Sequence, residues 1–122
     1  MSLEPFGWTP ALAQDFHSLS DELGFPVEPG RVVRQDRALL KVQTATSVVL
    51  AAPSGTLFAQ ASSAEQLPVI GDWVALTPGG AGDTRHIHRV LGRSSLLSRR
   101  DPGEPDRPQP VAANVKRVLI VV

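Results

Sequence analysis

The chain has 122 residues, 42% of them hydrophobic and 20% charged, which fits one globular domain and excludes a disordered chain. Cysteine is absent, which excludes disulfide staples, cysteine zinc sites and thiol nucleophiles, and no apolar run approaches the roughly 18 residues of a membrane-spanning helix. The net charge of zero hides an asymmetry: residues 1–30 carry five acids and no Lys or Arg, while all 12 basic residues, mostly Arg, lie beyond them, a split that points to a polyanionic partner.

Residues 9–23 predict one helix. Thr9 suits the N-cap and Pro10 the first helical position, where its missing N–H costs nothing. Leu12, Phe16, Leu19 and Leu23 fall on one helical face. Gly24 supplies a left-handed C-cap, and Pro26 prevents the helix from resuming. With Phe6 and Trp8 ahead of it, this leader (residues 1–29) reads as an amphipathic cover for one end of a domain.

From Gly30 the pattern becomes that of strands. Val32 and Val33 lead into the polar turn Gln35, Asp36, Arg37. Ala38, Leu40 and Val42 then alternate with Leu39, Lys41 and Gln43, and residues 46–50 are rich in β-branched side chains. Pro53, Ser54 and Gly55 read as a turn or bulge, followed by Thr56, Leu57 and Phe58. Residues 60–68 are small and polar, with a short helix at 63–67. Residues 71–76 and 84–91 complete the set. The 10 Gly and 11 Pro suit many turns and argue against a helix bundle. Five short strands over residues 30–97 predict an all-β fold, a five-stranded OB-fold barrel that closes most of its sheet edges. Residues 98–113, with four prolines and alternating charge, read as a flexible linker. Residues 114–122 end in five apolar residues, a pattern suited to a strand buried on both faces. This orphan strand points to the start of a second domain and so to a fragment; pairing at the barrel edge or with another copy is the alternative.

Few motifs carry chemistry. The phosphate loop GxxxxGK-Ser/Thr and the guanine-reading NKxD are both absent, and so is GxSxG. The PGGAGD run at 78–83 is not followed by a helix and reads as a hairpin loop. His86 and His88 share one strand face, suitable for two metal ligands; the third His lies far off at position 17, and Asp72 or Asp83 could in principle complete the set, but two exposed sheet residues are the simpler reading and no metal site is assigned. Asp101, Glu104 and Asp106 fall in the linker, where they cannot be preorganised for acid–base work. No catalytic residue can be named.

The basic residues are more informative. Arg31, Arg34, Arg37 and Lys41 surround the first hairpin, and Arg85, Arg89, Arg93, Arg99 and Arg100 follow the last strand and its exit. Together they are the candidate RNA-binding residues, since arginine forks bind phosphate bidentately. Of six Phe and Trp, only Phe58 and Trp73 belong to the barrel, and Tyr is absent. Without aromatic platforms for single-stranded bases, phosphate and shape contacts to folded RNA fit better.

Several segments read together resemble a known family: GRVVRQDRALLKVQT at 30–44, Gly-Thr-Leu at 55–57, GDWVAL at 71–76, IHRVLGRSSLLSR at 87–99 and VAANVKRVLIVV at 111–122. They are similar to the N-terminal part of the bacterial ribosome small-subunit-dependent GTPase A, a circularly permuted GTPase. The family usually carries Asp where this chain has Lys116. The resemblance implies an OB-fold followed by a permuted GTPase domain and a zinc-binding segment, with GTP, Mg and Zn as the cofactors of the full-length protein and none in this chain. It implies a cytoplasmic protein acting late in 30S subunit maturation, whose OB-fold contacts 16S rRNA. Residues 114–122 would be the first strand of the GTPase domain, and this chain alone would not hydrolyse GTP. The competing expectation is a protein-interaction barrel packing on the GTPase domain or a ribosomal protein. The apolar end from Val118 to Val122 could also pair two copies as a dimer. No membrane partner is expected.

Overall fold

The computed structural model describes residues 3–36, 38–78, 84–100 and 108–115, with the backbone alone at residues 65, 98–100, 108 and 109. Helix α1 spans Pro10–Leu23. Thr9 caps it by accepting the Leu12 N–H at 3.2 Å, and Gly24 ends it in the left-handed region at φ 73°, as the cap residues dictate.

Five strands form a closed barrel: β1 (Glu28–Asp36), β2 (Leu39–Gln43), β3 (Val48–Pro53), β4 (Trp73–Leu76) and β5 (Arg85–Val90), in the order β1-β2-β3-β5-β4 with β4 returning to β1. This is the five-stranded OB-fold that the sequence predicts. Strand β1 is long enough to serve two neighbours, pairing with β4 through residues 28–31 and with β2 through residues 31–36. Gly30 sits where it swaps between them; a Cβ there would lie 2.5 Å from Val42. A register shift between Val32 and Arg34 bends the strand around the barrel.

Strands β3 and β5 run parallel, so the chain must cross over between them. The crossover contains helix α2 (Gly55–Gln60) and a single 3-10 turn (Ala64–Gln66), the latter within the short helix read at 63–67. The turn read at residues 53–55 therefore opens a helix. Ser54 Oγ accepts the Leu57 N–H at 3.1 Å, and the helix directs Leu57 into the barrel core with Val32, Leu40, Val42, Ala51, Val74, Leu76 and Ile87.

All four residues of β4 are buried. Val74 and Leu76 face the barrel core. Trp73 and Ala75 face outward, where Leu3, Leu91 and the leader residues Phe6, Trp8, Leu12, Phe16 and Leu19 cover them. Trp8 meets Trp73 edge-on with centroids 5.0 Å apart, a favoured aromatic geometry. The leader is thus a lid on the outside of β4.

Strands β6 (Leu96–Arg100) and β7 (Pro108–Ala113) form a separate antiparallel ribbon. The expected linker at 98–113 is therefore paired at both ends. Pro108 and Pro110 sit in this two-stranded ribbon, where a missing donor costs little, and Ala113 anchors it by donating its N–H to the Ile70 carbonyl at 2.8 Å. The middle of that linker lies outside the described residues; of the strand expected at 114–122, Asn114 and Val115 follow β7 outside any strand, and the rest lies outside the described residues. Among the described residues no helix is long and apolar enough to cross a membrane.

Candidate nucleic-acid interface

Strand alternation sorts the barrel residues into two faces. Leu40, Val42 and Ala51 point inward. Their neighbours point outward, and the register aligns them in rows. Arg34 lies opposite Lys41, which lies opposite Leu50; Gln43 lies opposite Val48. Leu50 is 43% and Val48 52% exposed, and Val33 beside Arg34 is 44% exposed. The outer face of β1, β2 and β3 thus offers two cations set among exposed aliphatic side chains. Arg34 is held by Asp36 at 3.2 Å, with both side chains half or more exposed. Such a pair is weak, so the guanidinium can exchange its partner for a phosphate. Lys41 pairs with no acid among the described residues.

The other cations are placed differently. Arg31 donates to the carbonyls of Phe6 at 2.6 Å, Gly71 at 3.1 Å and Asn114 at 3.2 Å, and lies over the Trp73 ring at 5.6 Å. Arg85 is buried and ion-paired with Glu28. Arg93 grips the buried Asp72 with two hydrogen bonds of 2.8 Å and donates to the Leu67 carbonyl at 2.9 Å. Arg89 donates to the His88 carbonyl at 3.0 Å and lies opposite Ala75, on the flank covered by the leader. The nine basic residues expected to share one surface are therefore divided. Arg34 and Lys41 stand together on the open face, whereas Arg31, Arg85 and Arg93 have their forks on internal acceptors. Arg37 lies outside the described residues, as do the side chains of Arg99 and Arg100.

Sequence reading did not single out Val33, Val48 and Leu50 as part of this face. The alternation of residues 38–43 was the available signal, since it fixes which side Lys41 and its cross-strand neighbours occupy. His86 is exposed on β5, opposite Ala52. His88 is half-buried, 2.8 Å from Thr77 Oγ1 and edge-on to Phe25 at 4.8 Å. Burial, then the neighbouring His86 and Arg89, lower its pKa below the ordinary 6.5. Among the described residues no group of three or more His, Cys, Asp or Glu could hold a metal ion.

The chain is similar to the small ribosomal subunit biogenesis GTPase RsgA of Streptomyces coelicolor, 32% identical over 121 residues, covering 99% of this chain and 31% of that protein. It is similar to the RsgA of Opitutus terrae, 29% identical over 129 residues, covering 99% of this chain and 34% of the relative. With RsgA 1 of Oceanobacillus iheyensis it shares 35% identity over 92 residues, covering 75% of this chain and 26% of the relative. The chain spans about a third of the length of the first two relatives and about a quarter of the third. No protein-family model matches it.

Proposed function

The chain belongs to the family of small ribosomal subunit biogenesis GTPases named RsgA, and from that membership we propose that its barrel is the RNA-binding module through which such a GTPase engages 16S rRNA of the 30S subunit. The observation that carries this reading is the Arg34–Lys41 row among Val33, Val48 and Leu50 on the outer face of β1, β2 and β3. OB barrels bind oligonucleotides on the face of their second and third strands. Two cations there neutralise phosphates, and the aliphatic side chains fit a ribose-lined shallow groove. Arg37, Arg99 and Arg100 are further cations of this proposal. GTP hydrolysis, with the Mg and Zn of the family, belongs to the remainder of a full-length member, and the place of work is the cytoplasm.

The test is charge reversal. Arg34→Glu with Lys41→Glu should weaken binding of this chain to small-subunit rRNA at least about a hundredfold, at roughly 1.4 kcal/mol per tenfold, with the melting temperature little changed. Undiminished binding by the folded double variant would refute the assignment of this face. One observation favours a protein partner as a second reading: Phe58 on α2 is 66% exposed, which the RNA reading does not use. Under that reading Phe58→Ser abolishes 30S association and the charge reversal leaves it intact.

A further inference from the structure

Two parts of the chain flank the barrel. The leader covers β4, and the segment from Pro108 to Val115 leaves the barrel beside Ile70 and Gly71. Between them lies a cleft of about 1000 Å³, with Pro5, Phe6 and Leu12 on one wall, Ala112 and Val115 on the other, and Arg31 among its lining residues. Across this cleft one guanidinium reaches both walls. Its Nη1 donates to the Phe6 carbonyl in the leader, its Nη2 to the Asn114 carbonyl in the exit segment, and its Nε to the Gly71 carbonyl at the entry to β4. These acceptors stand 25, 83 and 40 residues away in sequence.

The exit side is shaped for that contact. Gly71 has φ 93°, and a Cβ there would stand 2.0 Å from the Ala113 carbonyl oxygen, so the close approach requires glycine. Asn114 takes the left-handed conformation at φ 56°, which Asn tolerates better than most residues. Its side chain donates to the Gly71 carbonyl at 2.9 Å and accepts the Ser94 N–H at 2.8 Å. The leader side has its own tie, since Asp15 accepts the Gly92 N–H at 2.7 Å. The three carbonyls are met by Nε, Nη1 and Nη2 of one planar fork, a spread of donors that the compact ammonium of lysine does not reproduce.

We propose that Arg31 is a clamp that couples the acidic leader to the exit segment, so that order in one holds the other in place. The order of the segment from Ala113 to Val115 then depends on whether the leader is seated on β4. The coupling is a property of this chain and does not depend on RNA binding. It must also be reciprocal, because a coupling free energy acts equally in both directions.

Native-state hydrogen exchange on the whole chain reads this directly. Trp8→Phe loosens the leader without touching the exit segment. It should raise exchange at the Ala113 and Asn114 amides about fivefold or more, with the β2 and β3 amides unchanged. Asn114→Ala should raise exchange at Phe6 and Gly7 by a similar factor. On an Arg31→Lys background, Trp8→Phe should no longer affect residues 113 and 114. The proposal is overturned if Trp8→Phe speeds exchange at Phe6 and Gly7 while Ala113 and Asn114 keep wild-type rates. It is equally overturned if the effect on them persists with Lys at 31, or if β2 and β3 loosen in parallel with the exit segment.

Discussion

At the scale of single residues, Arg31, Arg85 and Arg93 bond internal acceptors while Arg34 stays exposed. Asp72 is fully buried, and it holds Arg93 by two bonds while also accepting the Val69 N–H at 2.8 Å. Removing one member of a buried pair leaves the other uncompensated. Asp72→Asn should therefore cost about 3 kcal/mol of unfolding free energy, read from the midpoint of urea denaturation. A loss below about 0.5 kcal/mol, the range of an ordinary surface change, would contradict it. His88 makes the second prediction. Its pKa is lowered by burial, then by His86 and Arg89, so the fold favours the neutral ring. The unfolded chain then binds more protons in acid. The contribution of His88 is full above its unfolded pKa of 6.5 and drains away as pH falls through that value toward the lowered one. His88→Gln should flatten this limb of the stability curve. Parallel losses in variant and wild type between about pH 7 and 5 would show that His88 does not titrate this way. The sequence displays every arginine, yet it carries no sign that Arg93 meets an acid 21 positions back or that Arg31 reaches a carbonyl 83 positions on.

At the scale of elements, local signals succeeded where chain chemistry alone fixes the conformation. The caps Thr9 and Gly24 and the leucine spacing define α1, and the alternation around Lys41 defines the two faces of β2. Helix α2 was hidden because six residues carry too short a period to distinguish a helix from a turn. Only the Ser54 cap marks its start. The β6–β7 ribbon was hidden because it is held by pairing across a proline-rich stretch, a long-range contact without a local pattern. The phase of α2 is itself testable. Leu57 is 8% exposed and faces the core, whereas its neighbour Phe58 is 66% exposed. Leu57→Ala should cost about 2–4 kcal/mol, while Phe58→Ala should stay within about 0.5 kcal/mol. Equal costs in thermal unfolding would mean that the helix is rotated from the phase described.

At the scale of the whole molecule, the sequence similarity identifies the family and the barrel has the fold that the resemblance implies, whereas the sorting of the arginines between internal acceptors and the sheet surface depends on long-range contacts. The zero net charge conceals a leader that carries acid to one flank and a sheet face on which Arg34 is exposed and Lys41 half-buried. The central claim is that this open face recognises the small subunit. It is tested most directly by measuring binding of the chain to purified 30S subunits across a salt series, with 50S subunits as the control. The expected result is selective 30S binding whose logarithmic affinity falls with salt at about −0.7 to −0.9 per phosphate neutralised, and whose slope becomes shallower in the Arg34→Glu, Lys41→Glu variant. Equal binding to both subunits, or a slope that the double variant leaves unchanged, would contradict it.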